Sequence, residues 1–227
     1  MGDDAQLLLF TVSLAGLTTL LLLPVALPLA WWLSRPGQSA LKALVETVAT
    51  LPLVLPPTAV GLLLLSALSS HSPVGALFDS MGVEIVFTWR AVLLATWVMS
   101  LPLLLRSART AFEELDPRLL GVARTLGATP LRVFVAVAIP LAWRGLLAGV
   151  LLSFCRAVGE FGATILIAGN IPGRTQTLSL AIFQRAQSGD DAGALRLVAV
   201  TVALAFGIVL ITEVLLRRRP RSELRRA

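Results

Sequence analysis

An arginine and a glutamate stand four residues apart in the otherwise uncharged run GLLAGVLLSFCRAVGEFGATILIA, residues 145–168. At that spacing Arg156 and Glu160 share a helix face and can pair. A charge at the centre of a bilayer costs about 2.5–3.5 kcal/mol on insertion scales, so both groups should face protein or water. Three roles stay open: an internal ion pair that fixes helix packing, a cation on an anion's path with Glu160 orienting it, or placement near the membrane edge. A second set of donors follows at Arg174, Thr175, Gln176 and Thr177. It suits a tetrahedral oxyanion or an acidic protein surface, and a plain solvated loop fits it equally well.

Other chemistries lack their residues. Cys155 and His71 are the only cysteine and histidine, which excludes an internal disulfide and Cys- or His-rich metal clusters. Cys155, inside an apolar run, reads as a small buried hydrophobe. Glu160 and Glu213 are isolated in apolar runs, so no enzyme constellation forms. No G-x-x-x-x-G-K-[ST] sequence occurs, so the chain is not expected to hydrolyse ATP itself.

The elements that carry these residues are membrane spans. The chain has 227 residues, is 56% hydrophobic and has a mean hydropathy of +0.86. Residues 7–33 hold no charge, and about 20 helical residues cross a hydrocarbon core about 30 Å thick. Five spans are predicted, at about 7–33, 43–69, 87–105, 145–168 and 195–216, giving an all-α, polytopic membrane protein with one domain over 1–227 and a core over 10–216. The acidic N-terminus, MGDDAQ, runs into a full-length span and is read as retained and displaced outward.

Lys and Arg mark the cytoplasmic side. With the C-terminus inside, 14 of the 19 fall there: Arg35, Lys42, six arginines between spans three and four, and six in the tail. Arg90, Arg174, Arg185 and Arg196 fall outside, and Arg156 lies within a span. The N-terminus is therefore expected outside and the C-terminus in the cytoplasm. The net charge of +6 and the basic tail 217–227 are then topological, and a nucleic-acid partner is not expected, since no aromatic and basic platform accompanies them.

Within the second span, Pro56 and Pro57 follow Pro52, and each removes a backbone donor. The span either lines a cavity or tolerates a kink inside a packed bundle. Gly145 and Gly149, and Gly159 and Gly162 around Glu160, let helices approach closely and fit a dimer core, although glycine is common in such chains.

Residues 106–144 form the expected cytoplasmic loop. Asp116 and Pro117 open a helix there, Leu119, Leu120, Ala123 and Leu126 follow at helical spacing opposite Arg118 and Arg124, and Gly127 ends it. Such a helix could lie on lipid or dock into a groove of a cytoplasmic partner.

The run from Gly121 to Pro140 resembles the signature loop of binding-protein-dependent ABC importer permeases, which reads roughly Glu-Ala-Ala, three residues, Gly, nine residues, Ile-x-Leu-Pro. Ala123, Gly127, Val137, Ile139 and Pro140 match it, whereas Gly121 and Val122 stand where Glu and Ala are usual. RPGQSALKALVETVATLPLVLPPTAVG and GEFGATILIAGNIPGRTQTLSLAIF look like molybdate permeases, with sulfate permeases as close relatives. The resemblance implies a type I ABC importer transmembrane domain in a prokaryotic plasma membrane, working as a homodimer. It also implies a cytoplasmic ATPase dimer, which binds ATP and Mg, and an external molybdate-binding protein; tungstate is a further substrate. No cofactor is then bound by this chain. Leu119, Ala123, Arg124, Leu126, Gly127 and Pro140 would couple it to the ATPase. An ion-gradient carrier is the rival class, but it leaves the Gly127 loop without a role, and no repeat between halves is evident.

Overall fold

The computed structural model describes residues 2–37 and 39–217. The tail beyond Arg217 lies outside the described residues. Helix α1 (Gly2–Leu33) contains Pro24 and Pro28 and is apolar on all sides, as a membrane span can be. Helices α2 (Ala40–Val54) and α3 (Pro57–Leu68) occupy the predicted second span, but they meet at a bend of 115°. Pro56 and Pro57 explain it: Pro57 opens α3 at its first turn, and the residue before each proline is steered away from helix. Ser72 then caps the short α4 (Pro73–Ser80) through the Gly75 amide.

Helix α5 (Trp89–Glu113) extends the third span past its predicted end at 105, and α6 (Pro117–Thr125) follows. The next helical stretch begins at Pro130: α7 (Pro130–Val133), a π-helical turn over Phe134–Ala138, and α8 (Ile139–Val158). The expected loop over 106–144 therefore contracts to 114–129, because the segments flanking it stay helical. The π turn has a cause in Pro140. A proline ring clashes with the carbonyl four residues before it, and a wider turn relieves that clash. The Ile139 amide accordingly bonds the Phe134 carbonyl, five residues back.

The fourth span also ends earlier than predicted, at Val158. Residues 162–168 form a separate helix, α9 (Gly162–Ala168). Helices α10 (Leu178–Gln187) and α11 (Asp191–Arg217) complete the described chain, which contains no strand. Four helical stretches are long and apolar enough to cross a membrane, or five if the bent α2–α3 pair is one span.

Helices α1, α5 and α8 pack together as the core. Leu22, Ala26 and Leu104 are fully buried, and a hydrogen bond of 2.8 Å joins Thr18 to Thr96. Gly145 and Gly149 of α8 lie against Ala111 and Ser107 of α5, a close helix approach within one chain. Trp31, Phe112 and Phe134 close the end of the bundle that carries α6, with ring centroids 5.2 to 6.0 Å apart. At the opposite end, Arg185 donates to Asp4 at 2.6 Å, tying α10 to the start of α1.

A close helix approach also joins α3 and α9. A Cβ placed on Gly61 would lie 2.7 Å from the Ala163 carbonyl oxygen, and one on Gly162 would lie 2.7 Å from Pro57 Cβ. Gly61→Val should therefore lower stability by about 1–3 kcal/mol, read as a fall in unfolding temperature in detergent. Gly16→Ala, where a Cβ meets nothing within 4 Å, should leave that temperature unchanged.

Candidate functional site

Two places concentrate polar groups that an apolar bundle does not need for packing. The first is the break between α8 and α9. Arg156 Nη1 lies 2.6 Å from Glu160 Oε2, so the pair expected from the four-residue spacing is formed. Glu160 is 1% exposed, while the Arg156 side chain keeps 25% of its surface. The other carboxylate oxygen, Oε1, accepts from the Ala163 amide at 2.7 Å. Glu160 therefore binds the last turn of α8 through Arg156 and the first turn of α9 through a backbone donor.

A buried carboxylate keeps its charge only with such partners. The arrangement positions a guanidinium beside a helix break, with part of its donor fork still open. Chemically it can hold or pass an anion, and it can equally lock the break. Of the glycines around it, Gly162 is required by the contact with Pro57, whereas a Cβ on Gly159 would make only an ordinary contact, 3.6 Å from the Cys155 carbonyl oxygen.

The second place is the turn from α6 to α7. Asp116 caps α6 by accepting from the Arg118 amide at 2.8 Å, with Pro117 in the first turn. At the other end, the Gly127 amide bonds the Arg124 carbonyl at 2.9 Å and the Ala128 amide bonds the Ala123 carbonyl at 3.0 Å. This is a Schellman closure, and Gly127 takes the positive φ of 83° that it requires. Thr129 then caps α7 through the Arg132 amide, with Pro130 next.

The apolar positions of α6 do not form the single face expected of them. Leu120 is buried and Ala123 packs beside it against the Trp31–Phe112 cluster. Leu119, Val122 and Leu126 point away, and Leu126 is 82% exposed. Helix α6 is thus seated on the bundle by one edge and presents an apolar ridge on the other. Pro140 lies outside this turn, past the π turn, where it shapes the start of α8.

The oxyanion donors expected at 174–177 divide. Thr175 is fully buried, and its hydroxyl accepts from the Ile171 amide at 3.0 Å. Thr177 is buried at the start of α10. The loop folds back on itself and uses the Thr175 hydroxyl for its own structure, whereas the buried Thr177 hydroxyl has no hydrogen-bond partner among the described residues. Gln176 is bonded to Gln184, and Arg174 remains half-exposed, 4.0 Å from Glu84.

Three features escaped the sequence reading. Arg109 pairs with Glu113 one turn on and with Glu46 of α2. Thr11 accepts from the Leu178 amide across the bundle. Phe87 takes a positive φ of 59°, and its amide bonds the Ile167 carbonyl at the end of α9. The i,i+4 spacing of Arg109 and Glu113 was the one local signal; the others join residues far apart in sequence.

Residues 23–220 match the family described as the binding-protein-dependent transport system inner membrane component. The chain is 42% identical to the molybdenum transport system permease protein ModB of Escherichia coli strain K12, over 93% of each chain. It is 39% identical to the sulfate transport system permease protein CysT of Salmonella typhimurium, over 77% of this chain and 63% of that protein. In fold it resembles the membrane chain of the MetNI methionine ABC transporter, with a TM-score of 0.76, 96% coverage of each chain and 18% identity.

Gly127→Val forces a β-branched residue into the left-handed region, at a cost of about 1–3 kcal/mol. The expected result is local loosening of 114–133, seen as faster amide exchange there with α1 and α5 unaffected. Exchange like that of the wild type would remove the Schellman assignment. Glu160→Ala leaves Arg156 unpaired and the α9 amide without its acceptor, and should cost about 3 kcal/mol or more in thermal unfolding.

Proposed function

The chain belongs to the family of binding-protein-dependent transport system inner membrane components, and from that premise we propose that it is the permease subunit of an ATP-driven molybdate importer. Tungstate, of the same shape and charge, is a further substrate. Two copies form the pathway in the inner membrane, with the N-terminus outside and the C-terminus in the cytoplasm, as the distribution of Lys and Arg supports. An external binding protein delivers the oxyanion. A cytoplasmic ATPase dimer binds ATP and Mg and drives the cycle.

The observation that carries the coupling role is the ridge of Leu119, Val122 and Leu126 on a helix fixed at both ends. Exposed leucines on a short, firmly seated helix suit a groove in a partner, in the manner of helix-in-groove recognition. The cap at Asp116 and the closure at Gly127 keep that helix a rigid lever. Ala123 and Leu120 transmit its displacement to α1 and α5, on which they rest. ATP-driven closure of the partner then shifts the permease between outward and inward access.

Arg156 lines the pathway and Glu160 orients it. The one-sided exposure of the pair supports this reading, since a purely structural pair would be sealed on both members. Arg156→Lys keeps the charge and the partner but loses the planar fork suited to an oxyanion. It should retain folding and lose most molybdate uptake in proteoliposomes. Uptake equal to wild type would remove Arg156 from the pathway.

The substrate rests on the greater similarity to the molybdenum permease than to the sulfate permease. ATPase activity of the reconstituted complex with its binding protein should rise with molybdate and not with sulfate. A response to sulfate alone would reassign the transporter to sulfate.

A further inference from the structure

Below the Trp31–Phe112 cluster, the end of α1, the end of α5 and helix α6 enclose a cavity of about 280 Å³. Its floor is apolar, made by Trp31, Phe112 and Leu120, and its rim carries Arg35 and Arg124. The Arg35 guanidinium lies 3.6 Å above the Trp31 ring, which holds it in place. Burial, and then the charge of Arg124, lower the Arg35 pKa from its ordinary value. The two cations thus face one cavity. Among the described residues neither forms an ion pair with a carboxylate. Glu113 also reaches the rim, but its carboxylate is bound to Arg109 at 2.7 Å.

Gly121 is the remaining wall. Its Cβ would meet nothing within 4 Å, and its φ is not positive. Neither packing nor backbone geometry calls for a glycine there. What the glycine does is leave the space between the two arginines open from the side that also bears Leu119, Val122 and Leu126.

We propose that the Arg35–Arg124 cradle receives a carboxylate side chain of the cytoplasmic ATPase subunit as that subunit covers the α6 ridge. The proposal rests on the coupling role of α6 given above. Charge selects the occupant: two guanidinium groups offer a forked donor set for a carboxylate, and tryptophan and phenylalanine beneath them keep water from competing. Position selects its source. The cradle is roofed by the same helix whose apolar residues await a protein partner, so one docking event buries both. The acid that completes the site comes from the partner chain instead of from position 121.

Affinity of the purified permease for its ATPase subunit tests this. Gly121→Glu places a carboxylate of this chain in the cradle, and Arg124→Glu reverses one of its charges. Each should weaken binding about tenfold or more, the size of one charge-assisted contact, and the loss should shrink at high salt. Gly121→Gln, equal in size but neutral, should do less damage than Gly121→Glu. If both acidic variants bind within about twofold of wild type, or if Gln harms as much as Glu, the proposal is overturned. It also falls if ATPase affinity holds while the acidic variants lose co-purifying anionic phospholipid, since the cradle then serves the membrane. Should Arg124→Glu fail to fold, Gly121→Glu carries the test from its exposed position. A wild-type permease that shows no affinity for the ATPase would overturn the coupling role itself, a different result from variants that bind as well as the wild type.

Discussion

Where a helix stops inside an apolar bundle, its freed amides and carbonyls find no water, and each must be satisfied by protein. The break between α8 and α9 meets that constraint with a single residue. Glu160 accepts from the Ala163 amide and neutralises Arg156, so one buried carboxylate both ends the long helix and starts the short one. The packing of α9 follows from it. Once turned, α9 can lie on α3, and that contact is close because Gly61 and Gly162 have no side chains at the crossing. Phe87 then secures the far end of α9 through the Ile167 carbonyl. A charge in an apolar span is thus the origin of a local architecture, and the guanidinium it holds keeps a quarter of its surface open.

The α6 region obeys the same rule under easier conditions, since its ends are not buried among spans. Asp116 at one end and Gly127 at the other satisfy the terminal groups locally. The coupling proposed above needs a helix that does not unwind, and its fulcrum would be the aromatic cluster on which Leu120 and Ala123 rest. The π turn before Pro140 lies in the next helix, adjacent to that fulcrum. Displacement of α6 would therefore bear on the base of α8, and α8 carries Arg156 in its last turn. A continuous set of packed elements links the exposed ridge of α6 to Arg156.

Much of this was legible in the chain. The apolar runs, the Asp-Pro start and glycine stop of α6, and the i,i+4 pair of Arg156 and Glu160 are local signals, each legible in its own neighbourhood. The errors were also consistent. Hydropathy extends a run until its apolar character ends, which makes 145–168 one span and 106–144 one loop. Hydropathy does not register a turn made by a buried carboxylate, nor a helix that continues beyond the hydrocarbon with arginines on it.

Sequence alone determined the all-helical membrane class, the small seated helix between spans, and the presence of a charge pair in the fourth span, because these depend on composition and on contacts within one or two helical turns. Tertiary structure decided which side of α6 is buried, that the Thr175 hydroxyl serves its own loop, that Gly145 and Gly149 pack within the chain, and that Arg35 and Arg124 share a cavity. Those outcomes depend on which helices become neighbours. Arg35 and Arg124 are separated in sequence by two spans, and no local pattern reports the distance between them.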